Sequence, residues 1–150
     1  MAQEQNTRSA AGTFPQEEAG ARPTRASSPT LSVCVIVKNG EDETLGYDIE
    51  RALESLKPVG WDQLVVVDTG STDRTMEIAR EYGAEVHEHV IEPWNFALAR
   101  NCANAYATGD WILVIDADDT LVGAEHVKAI LPKNPDNIGA AAVLIEDMQG

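Results

Sequence analysis

Residues 111–119 read WILVIDADD: five apolar residues without a break, then three carboxylates within four positions. An uninterrupted apolar run of this length, with β-branched side chains, predicts a strand covered on both faces, as in the middle of a parallel sheet. A strand with one wet face would alternate polar and apolar residues instead. Runs of the same kind occur at 31–37 (LSVCVIV) and 64–67 (LVVV), with a weaker one at 84–90 and a fifth expected at 140–145. The intervening segments carry helical spacing. At 48–57 (DIERALESLK), Ile49, Leu53 and Leu56 share one face and Pro58 closes the helix. A turn at 69–73 leads into a helix reaching Tyr82, with Met76, Ile78 and Ala79 inward and Gly83 as its C′ residue. An Ala-rich helix is expected over 96–107, with Gly109 just beyond it, and another over 123–131, ended by Pro132. Strand and helix alternating at this spacing imply right-handed βαβ crossovers. The fold class is α/β: a doubly wound, mostly parallel sheet with helices on both faces.

Composition supports one domain. The chain has 150 residues, of which 43% are hydrophobic, enough for a core of ordinary size. Residues 1–30 are dominated by Ala, Ser, Thr, Pro, Gln and Glu, too little apolar surface to offset ordering entropy, and are expected to be a disordered leader. The folded domain is expected over 31–150. The formal net charge is −14, and because the leader's three Arg and three Glu cancel, the domain carries all of it. Such a surface repels phosphate backbones, which argues against nucleic-acid binding. A diphosphate ligand would need local neutralisation, for which a divalent cation is the obvious agent. Cys34 and Cys102 stand in apolar stretches with no second thiol nearby and read as buried free thiols. No run of about 18 apolar residues and no signal-peptide pattern is present, so a cytoplasmic location is expected.

In doubly wound sheets, ligands sit beyond the carboxyl ends of the strands, near the point where strand order reverses. The residues directly after each strand therefore matter. Lys38-Asn39-Gly40 comes after the first, Asp68-Thr69-Gly70-Ser71-Thr72-Asp73 after the second, and Asp116-Ala117-Asp118-Asp119 after the fourth. Asp116 and Asp118 are two apart, which on an extended strand puts both carboxylates on one side, roughly 7 Å apart. Three carboxylates so close repel one another unless a cation or hydrogen-bond donors lie between them. All-oxygen ligands suit Mg²⁺ or Mn²⁺; the alternative is a solvated acidic turn. Asp73 reads as a helix N-cap or first-turn residue and Trp94 and Asn95 as possible site-lining residues. His87 and His89 share one side of the third strand, expected to be a solvent-facing sheet edge.

Two other motifs compete. IDADDTL fits the haloacid-dehalogenase-type phosphatase pattern, but that family opens its fold with the motif and has Gly where Asp119 stands. VVVDTGST fits the aspartic protease signature, yet here it runs straight into a helical segment.

The ordered set is more specific than any single piece. VVVDTGSTDRT, an amphipathic helix ending in Tyr-Gly-Ala, NFALARN, and ATGDWILVIDADD resemble, in order and spacing, family 2-like glycosyltransferases with the Rossmann-like GT-A fold. The resemblance runs from Leu31 to about Gly150 and is closest to the subgroup whose first strand ends in Lys-Asn. The segment GEDETLGYDIE departs from it by its length. The resemblance implies transfer of a sugar from a nucleoside diphosphate sugar, typically a UDP-sugar, to an acceptor, with inversion. It implies that Asp68 accepts a hydrogen bond from the base, Asp116 holds a ribose hydroxyl, and Asp118 ligates the metal bridging the phosphates. Arg100 would lie near the base or the diphosphate, with Lys38 and Asn39 as weaker contacts. In related enzymes the general base on the acceptor hydroxyl comes from later in the chain. The expectation is therefore a donor-binding part cut short on its C-terminal side, either an enzyme's half or a nucleotide-sugar-binding module without catalysis.

Overall fold

The structure, a computed structural model, describes residues 28–131 apart from Glu43 and Leu45. The fifth strand expected at 140–145 and all but the end of the expected leader lie outside the described residues. Four strands, β1 (Leu31–Val37), β2 (Gln63–Asp68), β3 (Glu85–Glu88) and β4 (Trp111–Asp116), form one sheet in the order β3-β2-β1-β4, and every pairing is parallel. Helices α1 (Ile49–Leu56), α2 (Thr75–Glu81) and α3 (Phe96–Tyr106) make the crossovers. The doubly wound α/β arrangement is the one the alternation of segments predicts.

Side-chain alternation along β1 divides the core in two. Leu31, Val33, Val35 and Val37 pack with Ile49, Leu53 and Leu56 of α1 and Ile78 and Ala79 of α2. Cys34 and Ile36, with Val65 and Val67 of β2, face Ala99 and Ala103 of α3 on the other side. Small alanines on that helix face let α3 lie close to the sheet. Helix starts are set by side chains replacing missing backbone acceptors: Asp48 accepts from the Arg51 amide at 2.9 Å, and Asn95 from the Leu98 amide at 3.0 Å. Gly60 (φ 63°) and Gly83 (φ 79°) end the α1 and α2 segments in the left-handed region.

Three expectations change. Residues 111–115 do not form a strand covered on both faces among the described residues. β1 and β2 hold the inner positions, β1 with all seven residues buried, whereas β4 is an outer strand among the described residues and leaves Ile112 and Val114 exposed. The helix expected over 123–131 is instead a 3-10 turn (Ala124–His126) running into a short α4 (Val127–Ile130). Buried Leu121, just ahead of it, and its own Ala124 and Val127 recur every third position, the period of a 3-10 turn. Finally, His87 and His89 face α3, not solvent. The His87 ring stacks on Tyr106 at 3.6 Å between centroids, and His89 Nε2 lies 2.7 Å from the Tyr106 hydroxyl. β3 is still the edge strand, but the aromatic end of α3 covers that face.

Candidate functional site

The chain runs from β1 to β2 to β3 on one side, then returns to place β4 on the other side of β1. The crossovers diverge there, so the carboxyl ends of β1 and β4 border a crevice. A cleft of about 320 Å³ occupies it. Ile36, Val37 and Lys38 line it from the end of β1, and Asp116, Ala117 and Asp118 from β4. Thr69, Tyr47, Trp94 and Phe96 complete the wall.

Register brings the two sides together: Ile36 pairs with Asp116, one residue before the acidic turn begins. β4 ends at Asp116, so the extended geometry expected to run through Asp118 is replaced by a turn. The Asp119 amide donates to the Asp116 carbonyl at 3.1 Å. The turn brings one carboxylate oxygen each from Asp116, Asp118 and Asp119 within 4.8 Å of the others. Such an all-oxygen donor set on an exposed turn fits a hard divalent cation such as Mg²⁺ or Mn²⁺. Asp118 is exposed and Asp116 and Asp119 half-buried.

Arg100 reaches this cluster from the second turn of α3. Its Nη2 donates to Asp116 Oδ1, and its guanidinium stands 5.1 Å over the Phe96 ring. The side chain is only 15% exposed, and Nη1 is buried with no hydrogen-bond partner among the described residues. A buried donor left unmade costs about 1–3 kcal/mol, which marks it as a group waiting for an acceptor.

Asp68 sits behind the cleft wall, fully buried at the end of β2. Its Oδ1 accepts from the Gly70 and Ser71 amides at 2.9 and 2.8 Å, shaping the turn, while Oδ2 is buried without a donor among the described residues. Asn39, at φ 51°, does not line the cleft. Its side-chain oxygen accepts from the Thr72 amide at 2.8 Å, and its own amide donates to Ser71 Oγ at 2.7 Å. The Gly40 amide donates to Thr75 Oγ1 at 2.7 Å. The Glu41 amide donates to Asp73 at 3.1 Å, and the Arg74 amide donates back to Glu41 at 2.7 Å. Loops after β1 and β2 are thus clasped reciprocally. Asp73 serves the start of α2, as its position suggests, by accepting from the Thr75 amide at 3.0 Å. Burial pushes its carboxyl up, but the Thr75 hydroxyl and the Thr75 and Glu41 amides outweigh this and hold it below its ordinary value.

Of the residues singled out from the sequence, Lys38, Asp116 and Asp118 meet in the cleft and Arg100 joins through Asp116. Asp68 and Asn39 stand one layer back. Thr69 and Phe96 line the cleft from within the VVVDTGSTDRT and NFALARN segments without being singled out there, and Tyr47 joins them; an aromatic in the long loop after β1 was the one available signal for Tyr47. Trp94 lines it and is 57% exposed, while Asn95 caps α3. Cys34 and Cys102 are free and buried. Burial pushes the Cys34 thiol up to about 11 despite the nearby Arg100 charge, so it is no nucleophile at neutral pH. Among the described residues no helix is long and apolar enough to cross a membrane.

Known proteins resemble the chain in sequence and in fold. A TPR repeat-containing protein of Synechococcus elongatus is 47% identical over 97 residues, covering 65% of this chain and 22% of that protein. An uncharacterized glycosyltransferase of Rickettsia bellii is 39% identical over 92 residues, covering 61% and 28%. The chain thus spans little more than a quarter of these relatives' length at most. Among solved structures, S. aureus TarS matches with a TM-score of 0.56 and 28% identity, over 67% of this chain and 31% of that one. Glucosyl-3-phosphoglycerate synthase from Mycobacterium tuberculosis, in complex with Mn²⁺, UDP and glucosyl-3-phosphoglycerate, matches with a TM-score of 0.50 and 28% identity, over 61% and 36%. Residues 32–141 match the pattern of glycosyl transferase family 2 along their whole extent, and with the GT-A-like sheet and the acidic turn at its switch point the chain belongs to that family.

Proposed function

We propose that this chain is the donor-binding part of a glycosyltransferase that takes a sugar from a nucleoside diphosphate sugar, UDP in the first instance, with the help of Mg²⁺ or Mn²⁺. The observation that carries the reading is the convergence of the Asp116, Asp118 and Asp119 carboxylates at the mouth of a switch-point cleft. The likeness to a synthase whose complex holds Mn²⁺ and UDP supports both the cation and the base.

Asp118, the exposed carboxylate, and Asp116 would hold the cation, which when bound neutralises charge on the diphosphate leaving group. The chain's own residues do the rest. Lys38, exposed at the end of β1, offers its ammonium to the phosphates from the opposite wall. Arg100 Nη1 is a preorganised donor for a phosphate or ribose oxygen. Asp68 Oδ2, one layer behind the cleft wall and kept in position by the turn bonds of Oδ1, is the acceptor assigned to a base N–H, which must pass the wall to reach it. Asn39 serves the site by holding the loop that carries Lys38. Tyr47, Trp94 and Phe96 give apolar faces for rings. An inverting transfer needs in addition a base on the acceptor hydroxyl, a role assigned to none of these residues.

Calorimetry of UDP into the chain tests the reading. Binding is expected with Mn²⁺, absent with chelator, and weakened by more than about tenfold in Asp118→Asn, as befits a direct ligand. Equal UDP affinity with and without chelator would overturn it.

A further inference from the structure

We propose that Arg100 is an internal counter-ion: it holds Asp116 in the cation's stead, and it releases Asp116 only when metal and diphosphate arrive together. The inference rests on the donor-site reading above and adds a coupling between the two ligands. Three observations carry it. Arg100 Nη2 is bonded to the same Asp116 carboxylate that belongs to the three-carboxylate cluster. The guanidinium is largely buried against the Phe96 ring, so its charge is fixed beside the cluster rather than screened in solvent. Nη1 is buried and unpartnered among the described residues, leaving Arg100 one bond short in this state.

A divalent cation arriving alone must approach a fixed positive charge and compete with it for Asp116. A cation arriving with a diphosphate meets a different balance. The phosphate oxygens accept from the guanidinium, including the vacant Nη1, and Asp116 passes to the metal. Repulsion becomes attraction, and each ligand raises the affinity of the other by one common factor. Removing Arg100 thus has effects of opposite sign on the two equilibria, which loss of a purely structural arginine would not show.

The test uses the full chain and two measurements: free Mn²⁺ by electron paramagnetic resonance, and UDP binding by calorimetry at saturating Mn²⁺. Arg100→Met is expected to bind Mn²⁺ alone more tightly, on the order of tenfold, the scale for removing one unit charge beside a divalent ion in a wet cleft. The same variant is expected to bind UDP more weakly, and the tightening of Mn²⁺ by UDP seen in the parent should shrink toward none. Arg100→Lys, which keeps the charge, should restore weak binding of Mn²⁺ alone. Should Arg100→Met fail to fold, Arg100→Gln carries the same expectations. A folded neutral variant that binds Mn²⁺ alone no better than the parent refutes the proposal. If instead Asp118→Asn leaves Mn²⁺ binding in the presence of UDP unchanged, the donor-site reading itself falls, and the proposal with it.

Discussion

We assign two jobs to the two oxygens of Asp68, a turn anchor and a proposed base acceptor, and a pair of substitutions separates them. Oδ1 holds the Gly70 and Ser71 amides at 2.9 and 2.8 Å; Oδ2 is buried and unpartnered among the described residues. Asp68→Ala removes both. Hydrogen bonds to a charged acceptor contribute about 1.5–3 kcal/mol each, so two of them, partly replaced by water at these half-exposed amides, put the loss at about 3 kcal/mol. For a domain of about 100 residues that lowers Tm by on the order of 15 °C. Asp68→Asn is the informative variant. Its amide oxygen can replace Oδ1 in the turn, so stability should fall by only about 1 kcal/mol. Its NH₂ then stands where Oδ2 was, presenting a donor to a base N–H. Uridine, which has no phosphate and needs no metal, should bind roughly 10- to 100-fold more weakly, the effect of losing one buried hydrogen bond and facing two donors together. Thermal melts and NMR-detected uridine titrations read the two effects separately. Were Asp68→Asn to bind uridine as the parent does, Oδ2 would not be the base acceptor, and Asp68 would be a loop anchor alone.

Three other substitutions probe the frame around the site. Gly109→Ala would set a Cβ 2.6 Å from the Ser32 amide nitrogen, in the backbone of β1; it should cost about 1–3 kcal/mol in urea unfolding, and a neutral result would mean that the α3–β4 loop yields without strain. Asp73→Ala strips the Thr75 and Glu41 amides of their acceptor and should destabilise the chain by about 1–2 kcal/mol at neutral pH. Because the Asp73 carboxyl is held below its ordinary value, its contribution is present above that value and lost as pH falls through the lowered one; parent and variant should converge in acid. Cys34, with its folded value raised from 9.0 to about 11, has the opposite sign: stability is intact below pH 9 and declines as pH rises toward 11, a decline that Cys34→Ala should lack in alkaline melts.

The class of the fold and the place of its acidic cluster were legible in the chain alone. Apolar runs such as LSVCVIV and the helical spacing of Ile49, Leu53 and Leu56 are local signals, each readable within about ten residues, and both became the elements they predict. The Asp116–Asp119 cluster was legible for the same reason, since its members are neighbours in the chain. Tertiary packing settled what distance along the chain hides. Strand order β3-β2-β1-β4 sets β4 beside β1, so that Lys38 and Asp118 face one cleft although 80 residues separate them. Crossing α3 over the sheet aims Arg100 at Asp116 and lays Tyr106 against His87 and His89, pairings that no spacing rule contains. Periodicity shows which face of an element is apolar. Only packing shows which side chain from another element comes to meet it, because each such contact joins two local patterns whose relative placement is a property of the whole sheet.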